Sequence, residues 1–330
     1  MRRANSIHGV VTDPPFGVIE YLPDQLLKRR NGNGGIWRLP HAYGGYSRIP
    51  TPRFTVLGLT EHALIRAFHI RLAALLHKVL VPGAHAAVAS QPILSHLTVA
   101  AFVEAGFEVR GQIVRVVKTL RGGDRPKNGH TQYPELSVAP RSCWEPWLLF
   151  RKPCEGLVVD NLRRWGTGAL RRPSRDTPFM DLIQSLPARG EERAIASHPS
   201  LKPQAFLRQL VSAVLPLKRG ILLDPFMGSG STIAAATALR YRSIGIEIDR
   251  QYFKLAQSAI PKLARLPGTS QVNARDKRGP RPPSKIASAK KTSARRGKQT
   301  PAARRRPRPA ARRVASRVAR RVRPGGAPGP

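Results

Sequence analysis

Apolar residues recur at two spacings along this chain, and the switches between them mark its elements. A short apolar run from Gly9 to Thr12 has the length of a buried strand and stops at Asp13-Pro14-Pro15-Phe16-Gly17. From Glu61 to Val81 apolar residues return every three or four positions (Leu64, Ile65, Phe68, Leu72, Leu75, Leu76, Val79, Leu80). That spacing predicts a helix, closed by Pro82-Gly83. Residues 84–90 read as a buried strand, and Pro92 to Ala105 as a second helix ended by Gly106. Residues 107–120 alternate as one long strand or a strand pair, and 144–153 read as another strand. A helix is expected at 203–215, then strand, glycine-rich turn and helix through GILLDPFMGSGSTIAAATAL, then a strand at 242–249. The last helix runs from Arg250 to about Ile260, where Pro261 should end or kink it. Strands alternating with helices predict an α/β layer fold whose late strands turn antiparallel.

Other stretches have no period. Residues 28–53, full of Gly, Pro, Arg and aromatic residues, read as a long loop. Residues 154–197 are basic and turn-rich and read as an insert rather than core. From residue 266 the composition collapses into Lys, Arg, Pro, Ala and Ser without an aromatic, which predicts a disordered tail. The expected divisions are therefore 1–153, 154–197, 198–265 and 266–330.

Charge narrows the function. The 330 residues hold 57 Lys and Arg against 19 Asp and Glu, a net charge of +38. Such a surplus points to a polyanionic partner, nucleic acid ahead of an anionic membrane surface. Residues 271–330 hold 20 of the basic residues and one of the acids, so half of the surplus lies outside the tail. The two cysteines, Cys143 and Cys154, form neither a disulfide framework nor a CxxC metal motif, which predicts a reducing, cytoplasmic setting. No membrane span or secretory leader is expected. His62, His69 and His77 lie at seven- and eight-residue steps on one helix and read as face residues, so no metal is expected.

Two short segments carry candidate chemistry. In the first, two prolines fix their own φ and push Asp13 to an extended conformation, giving a rigid elbow between a carboxylate and the ring of Phe16. In the second, LLDPFMGSGST, Asp224 ends a strand, Gly228 and Gly230 let the backbone approach a ligand, and Ser231 and Thr232 open a helix whose N-terminus attracts an anion. Glu247 follows 23 residues after Asp224, where a nucleotide-type fold places the acid that grips ribose hydroxyls. The lysine of a phosphate-binding loop is absent, and the spacing is not GxGxxG.

Together these segments resemble the amino-methyltransferases of DNA, the N6-adenine and N4-cytosine group. Asp13-Pro14-Pro15-Phe16 matches the catalytic motif and Phe226-x-Gly228-x-Gly230 the cofactor motif, in the permuted order of the β class. HPSLKP (198–203) is similar to the element preceding the cofactor motif, GIEID to the ribose-binding strand, and Tyr252 to the tyrosine after it. The resemblance covers about residues 9–265. It implies a doubly wound, mostly parallel, Rossmann-like sheet, short of one edge strand because only eight residues precede the first. It implies S-adenosylmethionine as cofactor, bound by Asp224, Phe226, Gly228, Gly230, Ser231, Thr232, Glu247 and Asp249 with His198, Ser200 and Lys202. It implies methyl transfer to a flipped base in duplex DNA, adenine favoured by Asp13, within restriction-modification. Asp13, Pro14, Pro15 and Phe16 would hold that base. Arg29, Arg30, Trp37, Arg163, Arg164, Arg171 and Arg172 would contact DNA, with 154–197 as the target-recognition region. Two other readings fit the same residues: a DNA-binding protein on a methyltransferase scaffold without activity, and an RNA N-methyltransferase.

Overall fold

The computed structural model describes residues 4–15, 57–117, 126, 129, 131–138, 140, 142–185, 187–188, 190–198 and 200–268, all in the first of two compact units (residues 1–279). The expectations for Phe16, for the loop 28–53 with Arg29, Arg30 and Trp37, and for nearly all of the tail fall outside these residues.

In chain order the elements are β1 (Ile7–Thr12), α1 (Leu59–Val79), β2 (Leu80–Ala89), α2 (Ser95–Glu104), β3 (Glu108–Val116) and β4 (Trp144–Arg151), followed by α3 (Val158–Trp165), β5 (Leu182–Gln184) and α4 (Glu191–Ile195). The last five are α5 (Gln204–Val214), β6 (Ile221–Asp224), α6 (Ser231–Ala238), β7 (Arg242–Gly245) and α7 (Arg250–Arg265). The seven strands form one sheet in the order β5-β3-β4-β2-β1-β6-β7. β4 runs antiparallel to β2 and β3; the other pairs are parallel. This is the doubly wound, mostly parallel sheet that the alternation of elements implies. Its edge beside β6 is β7, and no described strand lies outside it.

Strand alternation explains the two faces. Val10, Ala86, Val88, Leu148 and Phe150 point to α1 and α2, where Phe102 stacks on Phe150 at 4.1 Å. The residues between them, Val11, Ala87, Trp147 and Leu149, point to Phe206, Leu210, Val214 and Ala235 of α5 and α6. Because both faces are covered, all of β2 is buried and reads as a continuous apolar run.

Three expectations are corrected. Pro82-Gly83 does not separate a helix from a strand: β2 starts at Leu80, directly after α1. The pairing with β1 jumps from Ile7↔Leu80 to Gly9↔His85, so the two residues sit in a bulge, with Gly83 at φ +74. Pro261 does not end α7, which continues to Arg265 because Leu263 is buried against the core and Arg208 Nη2 donates to the carbonyls of Leu263 and Ala264. Residues 154–197 are not apart from the core. β5 pairs with β3, Ile183 and Ala196 are buried, and Asn161 and Thr167 both donate to the Pro82 carbonyl in the bulge.

Candidate active site at the carboxyl end of β1 and β6

The sheet changes winding direction between β1 and β6: β1 connects through α1 to β2 on one side, and β6 through α6 to β7 on the other. In such sheets the crevice beyond the strand ends at this point holds the ligand. Gly9 and Val10 pair in register with Leu222 and Leu223, so Asp13 and the glycine turn leave the sheet side by side although they are far apart in sequence.

Side chains tie the two segments together. Thr12 Oγ1 donates to Asp224 Oδ1 at 2.7 Å, and the same oxygen accepts from the Phe226 amide at 3.1 Å. Asp224 is buried, and burial raises its pKa to about 6 against these hydrogen bonds. Lys202 Nζ forms an ion pair with Asp13 Oδ2, both side chains only partly exposed. HPSLKP therefore reaches the Asp13 elbow as well as the glycine turn. Pro14 is buried and Pro15 exposed, so the elbow is anchored at its first proline.

The turn is shaped for a ligand. Gly228 and Gly230 have φ of +53 and +83. A Cβ on Gly228 would come within 3.0 Å of the His198 ring, and one on Gly230 within 2.5 Å of Ile260. Only glycine satisfies both backbone and packing. α6 starts at Ser231 with no side-chain cap, and Ser231 and Thr232 are buried beside it. Glu247 accepts from the Gly228 amide at 2.9 Å through Oε2 and from the Asp249 amide at 2.8 Å through Oε1. Asp249 instead caps α7, accepting from the amides of Gln251 and Tyr252. His198 packs edge-on against Tyr252 at 4.4 Å, its Nδ1 accepts from the Ser200 amide at 3.2 Å, and burial lowers its pKa. Its ring is accordingly neutral at pH 7.

Some partners were not foreseen. Thr12 is a polar residue at the end of a fully buried run, and that mismatch is its signal in the sequence. Gln204 Nε2 donates to the Ser231 carbonyl at 2.9 Å and steadies the start of α6, while its amide donates to Glu192. The buried pair Arg115–Glu145, joined by Trp147 Nε1, fixes the same end of β3 and β4.

The basic candidates lie elsewhere. Asn161 anchors α3 at Pro82, and Arg171 donates its backbone amide to the Ala213 carbonyl in the last turn of α5 and its Nη1 to the Pro216 carbonyl just past it. Pro82 lies in the bulge, about level with His8 of β1, so Thr12 is four residues, or roughly 13 Å at 3.3 Å per residue, farther along the strand. Arg163, Arg164, Arg171 and Arg172 thus stand at the opposite end of the sheet from Asp13. Arg163 and Arg164 also pair with Asp160 and Glu155.

Among the described residues no cluster of His, Cys, Asp or Glu could hold a metal, and no helix is long and apolar enough to cross a membrane. A family model described as DNA methylase matches residues 7–258. The type II methyltransferase M.HindIII of Haemophilus influenzae is 24% identical over 284 residues, spanning 78% of this chain and 90% of that protein. M2.DpnII of Streptococcus pneumoniae is 37% identical over 70 residues, 21% of this chain and 25% of that protein. Among solved structures, TTHA0409 of Thermus thermophilus has a TM-score of 0.49 at 18% identity, covering 82% of this chain and 91% of that one.

Proposed function

This chain belongs to the N6/N4 DNA methylase family, and we propose that it moves a methyl group from S-adenosylmethionine to the exocyclic amine of a flipped base, adenine before cytosine. The observation that carries the reading is the hydrogen bond between Thr12 and Asp224, which brings the elbow and the glycine turn to one crevice.

The residues fit the cofactor. Glu247 is held as an acceptor by two backbone amides, which suits a ribose diol. The uncapped start of α6 beside Ser231 suits the carboxylate of the methionine end, and the buried Asp224 suits its ammonium. S-adenosylmethionine, when bound, supplies a methyl carbon on a cationic sulfur that a lone pair can displace.

The chain's own residues prepare that lone pair. The nitrogen of an exocyclic amine is a weak nucleophile because its lone pair is delocalised into the base. The Asp13 carboxylate and the Pro14 carbonyl accept its two N–H bonds and favour a pyramidal nitrogen. They hold their angle because the elbow is rigid. Lys202 on Asp13 Oδ2 fixes the orientation of the carboxylate and leaves Oδ1 to the amine. Phe16 stacks on the base. The base leaves its duplex to reach this pocket, and alignment by the two loops replaces a chance encounter.

Incubation with labelled S-adenosylmethionine and duplex DNA, followed by digestion to nucleosides, tests the reading. Label in N6-methyldeoxyadenosine is expected. Label on RNA alone, or none on any nucleic acid, contradicts it.

A further inference from the structure

We propose that the end of the sheet opposite Asp13 is a second DNA-binding surface, which grips the phosphate backbone of a duplex segment other than the one being methylated. The proposal rests on the reading of DNA as substrate and goes beyond it.

Two turns build this surface. The α5–β6 turn carries Lys218 and Arg219, and the α6–β7 turn leads from Arg240 into Arg242; all four are exposed. Because Ile221 pairs with Arg242, the turns are neighbours at one edge. Among the described residues none of the four has an ion-pair partner, whereas Arg163 and Arg164 on the nearby α3 do. α3 ends against the same turn, since a Cβ on Gly166 would meet Arg219 Nε at 3.4 Å. The positive field is felt inside the protein as well: burial first, then Arg219 and Arg242, lower the pKa of His8 beneath them.

The backbone supplies an independent observation. Lys218 and Arg240 have φ of +57 and +59, and Asn5 is the one other described non-glycine residue with positive φ. Helix-to-strand turns of this kind usually place glycine in the left-handed conformation, because a Cβ there is strained. At Arg240 this conformation lets the Tyr241 amide donate back to the Ala236 carbonyl and close α6. In both turns a long cation stands where glycine would be less strained.

The geometry selects the partner. The aromatic between them, Tyr241, packs against the core, and exposed cations fit phosphates rather than base edges, so the contact is independent of sequence and sensitive to salt. A straight duplex lying across the crevice beyond β1 would pass this end, roughly 20 Å away along the strands, without touching it, and reaching it would take a sharp and costly bend around the sheet. The surface therefore serves a second segment of DNA, in cis on a long molecule or in trans between two.

The test uses the full chain and two variants, Lys218→Gly/Arg240→Gly and Arg219→Gln/Arg242→Gln. Each protein is bound to an immobilised duplex, and capture of a second, labelled duplex is measured from 50 to 200 mM salt, with methyl transfer to a short duplex read in the same samples. Both variants should lose about tenfold in second-duplex capture, with a shallower salt slope, while transfer to the short duplex stays at the parental rate. The glycine variant should melt at a higher temperature than the parent, which separates lost binding from lost fold. Unchanged capture in both variants, or capture that labelled RNA or an acidic protein displaces better than duplex DNA, overturns the proposal. Loss of short-duplex transfer in step with capture also overturns it. No transfer by the parent, with capture intact, contradicts only the enzymatic reading.

Discussion

Thr12 Oγ1 donates to the buried carboxylate of Asp224 across 2.7 Å and 212 residues of sequence. A parallel pair of strands sets the two residues beside each other, and the hydrogen bond joins the ends from which the elbow and the glycine turn depart. Chain order is irrelevant to that adjacency.

Removing the hydroxyl should weaken both fold and site. In Thr12→Val, Asp224 keeps its burial and loses a donor, an imbalance worth about 1–3 kcal/mol. Urea denaturation is expected to show a loss of that size, accompanied by weaker S-adenosylmethionine binding. A variant as stable as the parent would mean that the bond holds nothing together.

Lys202 separates two roles. If it serves Asp13, Lys202→Met should lower kcat by about ten- to a hundredfold, the worth of a charge-assisted hydrogen bond of 1.5–3 kcal/mol. Cofactor affinity should stay close to that of the parent. A calorimetric Kd that worsens as much as kcat would place Lys202 on the cofactor instead.

Gly228→Ala should lower cofactor affinity about tenfold or more. At φ +53 a Cβ is strained, and it would sit 3.0 Å from the His198 ring. Opening of the turn should leave far-ultraviolet circular dichroism unchanged, since no strand or helix contains the residue.

Acid should unfold the protein partly through His85. Burial first, then Arg151 and Arg110, lower its pKa from 6.5 to about 3. A histidine with a depressed folded pKa binds its proton more tightly when unfolded. Its contribution is complete above pH 6.5 and is lost as pH falls toward 3, at up to about 1.4 kcal/mol per unit. Asp224 acts with the opposite sign: its raised pKa of about 6 makes stability fall as pH rises from 3.8 through 6. The decisive comparison is therefore between proteins. As pH falls from 6 to 4, His85→Gln should gain stability relative to the parent, by up to about 1.4 kcal/mol per unit, read as the difference between the two denaturant midpoints.

Much of this architecture is written in local pattern. The elbow is legible because prolines act on their own and the preceding residue, and the turn because glycine spacing reports backbone shape directly. Asp249 as a helix cap is equally local, and the strand expected at 242–249 stops at Gly245, four residues short of it. What sequence could not show is non-local. Pro82-Gly83 looks like a stop, yet the bulge it forms exists only because Asn161 and Thr167 arrive from 79 and 85 residues away. Arg163, Arg164, Arg171 and Arg172 look like DNA ligands by charge, but which end of the sheet they occupy depends on the Pro82 carbonyl and the end of α5. Pro261 looks like a break, and tertiary packing of Leu263 overrides it.

The central claim is that the elbow acts on the acceptor and the glycine turn holds the donor. It is tested most directly by measuring S-adenosylmethionine binding and methyl transfer to duplex DNA in parallel on Asp13→Ala. Transfer should fall below detection while the dissociation constant stays within a few-fold of the parent. Retained transfer, or equal loss of binding and transfer, would contradict the division of labour between the two loops.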